Sequence, residues 1–225
     1  GGGGTGDGGS GGSGAPEPIV WNSWDVVTNG STPQVSGNGY AADIAFYRSV
    51  SLTDLAIDIT FDQFHAGPHP DSFNNIEMYW ATNSNAGTYP YAGKSTLDRG
   101  NDNGETAAPQ PLNVRDLQLH PPDADKLTVM AFAAPLAATY TVSNLALRRV
   151  DSAGDLASVQ LHAPCTAGSL EKLQAAGNNQ AWVVSSQPYA LGQMSAGERI
   201  CFGVSGVGDY GWDAVEIAWT LTAQP

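Results

Sequence analysis

The stretch DAVEIAWTL (213–221) decides the fold. Val215, Ile217, Trp219 and Leu221 occupy alternate positions, and successive side chains of an extended chain point to opposite faces. The stretch therefore reads as a half-buried strand of an antiparallel sheet. DLAIDITFD (54–62) repeats the pattern, with Leu55, Ile57, Ile59 and Phe61 on one face and Asp58, Thr60 and Asp62 on the other. Eight more stretches read as strands: IVWNSWDVV (19–27), ADIAFYRSV (42–50), NIEMYWA (75–81), KLTVMAFA (126–133), ATYTVSNLALRRV (138–150), LASVQLH (156–162), AWVVSS (181–186) and RICFGVS (199–205). KLTVMAFA is apolar on both faces, which places it at the centre of a sheet or beneath a covering loop. In ATYTVSNLALRRV the apolar parity moves from Tyr140/Val142 to Leu145/Leu147, so a bulge or bend is expected near Ser143-Asn144.

Turn formers separate these stretches, as in TNGSTP, SGNG, HPPDAD and DSAGD. One segment, SLEKLQAA (169–176), reads as a short helix with Ser169 as N-cap and Gly177 as its stop. About ten strands and one short helix predict an all-β fold, an antiparallel β-sandwich of jelly-roll-like character. Residues 82–111 read as one long loop, and loops of such length in compact domains tend to be functional or disordered.

The leader GGGGTGDGGSGGSGAPEP holds almost nothing that can enter a core. Residues 1–18 are read as a flexible linker or hinge, with a reach of ~23 Å for a Gly/Ser coil, and 19–225 as a single sandwich domain. Such a tether implies a body N-terminal to it. The start lacks the basic and apolar regions of a signal peptide. VMAFAAPLAA (129–138), interrupted by Pro135, falls short of the ~20 apolar residues of a membrane span. No membrane insertion is expected.

Nine Lys and Arg oppose twenty-two Asp and Glu, a formal net charge of −13. A surface this acidic repels phosphate backbones, and Arg148-Arg149 is the one adjacent basic pair, so no nucleic acid partner is expected for this segment. Cys165 and Cys201 are compatible with one bridge in an oxidising setting and equally with two buried thiols. No CxxC or Cys/His cluster suggests zinc.

Other matches to chemical signatures fail on context. GVGDYG (206–211) fits the dinucleotide fingerprint literally, but a strand pattern follows where a helix is required. The GxSxG match at Gly8–Gly12 lies in low-complexity sequence. His65 and His69 with Asp71 cannot form a helical ligand pair across Pro68 and Pro70, and His120 and His162 stand apart. DRGNDNGE (98–105) departs from calcium-loop spacing at Arg99. NGS (29–31) is a formal glycosylation sequon and an equally good turn. No catalytic residue, cofactor or metal is expected.

The aromatics carry the binding expectation. Trp21 and Trp24, three apart on a strand, face opposite sides. Tyr89 and Tyr91 flank Pro90, and Tyr210 and Trp212 flank Gly211, so each pair would place its rings on one side of an extended segment. Loop aromatics beside Asp and Asn suit the gripping of sugars or protein partners. Tyr89, Tyr91, Tyr210 and Trp212 are the candidate ligand- or receptor-binding residues.

The glycine-rich leader, the acidic sandwich and the last strand VEIAWTLT (215–222) resemble the protruding domain of small RNA-virus capsid proteins. SAGERICFGVSG (195–206) is similar to turn-and-strand sequences of viral β-sandwich domains. The Gly/Ser/Pro leader with Trp and Tyr also resembles carbohydrate-binding modules of secreted microbial glycoside hydrolases. The first resemblance implies a non-enzymatic projection domain at the virion surface. Its role there would be host attachment and particle structure, with other copies of the chain and a cell-surface glycan or protein receptor as partners. The second implies a secreted carbohydrate-binding module or adhesin.

Overall fold

The computed structural model describes residues 15–67, 76–85, 90–95, 117–123, 125–149, 156–176, 182–207 and 214–225. Among them are seventeen strands. In chain order these are β1 (Ile19–Asn22), β2 (Val26–Asn29), β3 (Thr32–Gly37), β4 (Tyr40–Ser49), β5 (Ile57–Thr60) and β6 (Gln63–Ala66). Then come β7 (Ile76–Ala81), β8 (Tyr91–Ser95), β9 (Leu117–Leu119), β10 (Thr128–Ala133), β11 (Ala138–Arg149) and β12 (Leu156–His162). The last are β13 (Glu171–Ala176), β14 (Val183–Val184), β15 (Tyr189–Met194), β16 (Arg199–Val207) and β17 (Val215–Gln224). A 3-10 turn at Ser23–Asp25 is the one helical element among the described residues. No helix there is long and apolar enough to cross a membrane.

The strands form two antiparallel sheets packed as a sandwich, as the alternation predicts. The nine-stranded sheet runs β14-β11-β17-β9-β8-β7-β6, with β1 also on β17 and β15 also on β11. The eight-stranded sheet runs β13-β12-β16-β10-β4-β3-β2, with β5 also on β4. Ile217, Trp219 and Leu221 of β17 face Phe132 of β10 and Phe202 and Val204 of β16 in one core. The Phe202 ring stacks on Trp219 at 5.3 Å, and Phe132 meets Trp219 edge-on at 6.2 Å. The sequence SGNGY folds as the β3–β4 hairpin, where Asn38 (φ 45) and Gly39 (φ 87) both take the positive φ that a primed turn needs.

The bulge expected in the 138–150 strand is present. The β11–β17 register shifts between Ser143 and Ala146, and Asn144 sits at φ 53. KLTVMAFA is both central and covered, since β10 lies between β16 and β4 with buried side chains on each face.

Four expectations are corrected. SLEKLQAA is not a helix. Residues 171–176 pair with β12 from Leu161↔Glu171 to Leu156↔Ala176, and Leu173 and Ala175 turn inward with a period of two. The free edge of β12 overrides a local preference that isolated helices of this length cannot satisfy. The strands number seventeen, not about ten, because β3, β6, β8, β9, β13 and β15 are short or interrupted by Gly and Pro. Two of them, β8 and β9, sit inside the nine-stranded sheet, and β8 lies within the expected 82–111 loop. In DLAIDITFD only Leu55 and Phe61 are buried, whereas Ile57 and Ile59 are 49% and 37% exposed. The reason is that β5 pairs with β4 alone at the sheet margin. Finally, β17 is buried on both faces from Val215 to Trp219 rather than on one.

The two sheets come into close contact where β1 meets β3. A Cβ on Gly37 would lie 2.2 Å from the Val20 carbonyl oxygen and 2.8 Å from Trp21 Cδ1. Neither backbone has room to yield. Of the leader, residues 1–14 lie outside the described residues. Residues 15–18 are exposed, with the Gln224 side-chain amide donating to the Pro16 carbonyl at 2.8 Å and that of Asn38 to Pro18 at 3.2 Å. Gly37→Ala is expected to cost about 3 kcal/mol or more by overpacking against backbone. Gly203→Ala, whose Cβ would meet the Leu127 side chain and no backbone atom, closest at Cδ1 (2.8 Å), should cost about 1 kcal/mol. Urea denaturation of the two variants checks the difference.

Candidate functional site

The outward face of β10 carries Val129 and Ala131, and with Leu127 just before the strand they form a second buried cluster. Tyr47 from β4, Cys201 from β16 and Leu55 complete it. An apolar outer face must be kept from water, and two loops do so. The 50–56 loop is fixed by its own polar groups. The Ser51 hydroxyl oxygen accepts from the amides of Thr53 (3.3 Å) and Asp54 (3.0 Å), and Asp54 Oδ1 accepts from Ala56 N–H (3.0 Å). The 163–168 loop is fastened by a Cys165–Cys201 disulfide, by Cys165 N–H donating to the Arg199 carbonyl (2.9 Å), and by the His162 ring bonded to the Ala167 carbonyl (2.9 Å). Of the two cysteine states open from the sequence, the structure contains the bridge.

Between the loops lies a cleft of about 460 Å³. Its lining includes Tyr47, Asp54, Ile57, Pro164, Cys165 and Arg199. Tyr47 Oη lies 3.3 Å from Cys201 Sγ. Burial pushes the Tyr47 phenol up to about 12, with the Arg199 charge pulling the other way. The phenol is therefore a neutral hydroxyl at neutral pH.

A second polar array crosses the outer face of the nine-stranded sheet. Arg148, Glu216, Gln118, Gly93, Tyr79 and His65 stand directly opposite one another on six successive strands. Arg148 Nε donates to Glu216 Oε2 at 2.7 Å, and the guanidinium lies 5.0 Å from the Trp182 ring centre. The His65 ring stacks on Tyr79 at 4.3 Å. Arg148, Glu216, Gln118 and Tyr79 are buried, so this row acts as an internal tie rather than an open surface.

Of the four candidate contact residues, Tyr89, Tyr210 and Trp212 lie outside the described residues. Tyr91 begins β8 instead of lying in a loop, and it is fully buried, its hydroxyl donating to Gln118 Oε1 at 2.7 Å. It packs edge-on to Tyr79 at 6.2 Å and against His120 at 5.6 Å, so its ring serves the sheet rather than a ligand. His69, Asp71 and the 98–105 segment are also outside the described residues. His120 and His162 are buried and bonded to backbone carbonyls. In GVGDYG, Gly206 and Val207 end β16 and residues 208–211 are outside the described residues; the next described element is strand β17. The NGS triplet is the β2–β3 turn, with Gly30 at φ 66. Trp21 is buried and Trp24 partly exposed.

The cleft residues Tyr47, Asp54 and Arg199 were not singled out by the sequence. The signal that pointed toward them was the two-sided apolar run KLTVMAFA, whose outer face required a cover.

No protein-family model matches the chain, and no curated protein does. Among solved structures, the chain is similar to the isomalto-dextranase of Arthrobacter globiformis T6 complexed with panose, at 13% identity and a TM-score of 0.30. That match covers 58% of this chain and 20% of the other, so the chain spans about a fifth of that protein. It is also similar to the C-terminal CBM6 of LamC, a marine laminarinase from Zobellia galactanivorans, at 16% identity and a TM-score of 0.26. There the match covers 51% of this chain and 85% of the other. Neither of these two is a capsid protein, and likenesses this distant carry no function across.

The disulfide closes a loop with a sequence separation of 36, and its reduction should remove about 4 kcal/mol on the loop-entropy relation. Guanidinium melts with and without reductant measure this. The raised Tyr47 pKa sets a second test. Its contribution is whole below pH 10 and is lost as pH rises through about 12, because the unfolded phenol ionises first. Wild-type stability should therefore fall more steeply over that range than that of Tyr47→Phe.

Proposed function

We propose that the chain is a non-catalytic carbohydrate-binding domain of a secreted protein, taking a short saccharide in the cleft between the 51–57 and 164–167 segments. The observation that carries this reading is the cleft itself. Its volume of about 460 Å³ falls within the ~300–1,000 Å³ typical of small-molecule sites. Its walls combine apolar surface from Leu55, Ile57 and Pro164 with hydroxyls from Thr53 and Thr166. A sugar ring presents the matching combination, a C–H face and a rim of hydroxyls. The loops are pinned by the disulfide and by turn hydrogen bonds, so little entropy is lost on binding.

The lining also supports binding without turnover. Glycoside hydrolysis generally uses two carboxylates flanking the bond. Asp54 is the single carboxylate among the cleft's described lining residues, and its Oδ1 already holds the Ala56 amide. The capsid-projection reading has no observation among the described residues in its favour.

Ala56→Trp would fill the cleft from an exposed position without disturbing the core. A glycan array followed by titration calorimetry should find a saccharide that wild type binds. The Trp variant should bind it at least tenfold more weakly while melting at the same temperature. An array with no binder, or binding unaffected by the Trp, would sink the proposal.

A further inference from the structure

The basic residues of this acidic chain are mostly spoken for. Arg48 and Lys126 both hold Asp58, at 2.7 and 2.9 Å. Arg148 holds Glu216 at 2.7 Å, and Lys94 donates to the Val26 carbonyl at 2.8 Å. Arg199 and Lys172 differ: among the described residues neither side chain has a carboxylate within ion-pair distance or a hydrogen-bond partner, and of the two only Arg199 lines the cleft. This holds in a chain where twenty-two acids face nine bases. Asp54 lines the same cleft, yet its carboxylate is turned to the Ala56 amide. An exposed guanidinium in the wall of a cleft, with no partner of its own, is available to an anionic group of a ligand.

We infer that the saccharide taken by this cleft carries an acidic group, a carboxylate or a sulfate ester, held by the Arg199 guanidinium. The inference rests on the saccharide reading of the cleft and names the ligand class. The planar fork of a guanidinium matches the paired oxygens of either anion and binds them through two charge-assisted hydrogen bonds. The one carboxylate in the cleft's described lining, Asp54, has its Oδ1 engaged by the Ala56 amide. Tyr47, a neutral phenol, shares the cleft lining with Arg199. The net charge of −13 acts from farther away and is screened beyond about 8 Å at physiological salt, so the local guanidinium decides.

The test uses trisaccharides built on glucose, galactose or mannose, each as a neutral, a uronate and a sulfated form, titrated by calorimetry at 0.15 M salt. In at least one series an acidic form should bind about tenfold tighter than its neutral twin. Arg199→Gln should abolish that preference, bringing acidic and neutral forms to equal affinity, and Arg199→Lys should restore only part of it. Whether uronate or sulfate is favoured identifies the source of the anion. Equal binding of acidic and neutral forms, or a preference that survives Arg199→Gln, overturns the acidic-ligand inference and leaves the saccharide reading standing. Binding of none of the nine, together with no binder on the glycan array, removes both.

Discussion

The Trp219 ring lies parallel to Phe202 at 5.3 Å and meets the edge of Phe132 at 6.2 Å, which keys the central strand of one sheet to two adjacent strands of the other. Everything else is placed by that contact. Phe132 also receives the edge of Trp21 at 5.4 Å, and Trp21 stacks on Tyr140 at 6.3 Å, so the seam runs on to β1 and β11. The Trp21 indole N–H donates to the Tyr40 carbonyl across the sandwich at 2.9 Å, leaving no unpaired donor there. Such ring pairs add about 0.5–1.5 kcal/mol each beyond the area they bury. At the far margin, Glu171 of β13 accepts from the Tyr189 hydroxyl of β15, which ties the two sheets together a second time.

With its inner face committed to the seam, β10 still has an apolar outer face, and this has a structural consequence. Leu127, Val129 and Ala131 demand a cover, and two loops from different parts of the chain supply it. Loops laid over a sheet meet imperfectly, and their junction is the cleft. The disulfide fixes one loop to β16 directly beneath that junction. The cleft is thus a by-product of how a two-sided strand is buried, placed on an outer face rather than at the loop ends of the sandwich.

Much of the fold was legible in particular residues. The alternation in DAVEIAWTL gave the strand and the core face of Trp219, and the parity change at Ser143-Asn144 gave the bulge. Both are local consequences of a period of two. What was not legible depended on neighbours. EKLQAA alternates as well as it turns, and only the free edge of β12 selects the strand. YAGKS looks like a loop because of Gly93, yet a Cβ there would lie 2.7 Å from Ile76 Cγ2, so the glycine permits a close fit inside the sheet. Ile57 and Ile59 have the pattern of a buried face but stand at a margin where nothing covers them. The site was less legible still. Arg199 is distant in sequence from Tyr47 and Asp54, and topology brings it to their cleft. The aromatic pairs drew attention for their spacing, but Tyr91 shows that spacing says nothing about burial.

The central claim is that the outer layer over β10 is a separate, disulfide-fastened unit resting on a sandwich that Trp219 holds independently. Hydrogen–deuterium exchange of the oxidised and reduced chain addresses it directly. On reduction, the amides of 50–56 and 163–168 should exchange faster, while those of β10, β16 and β17 remain protected. Loss of protection throughout the sheets, or no change in the two loops, would contradict it.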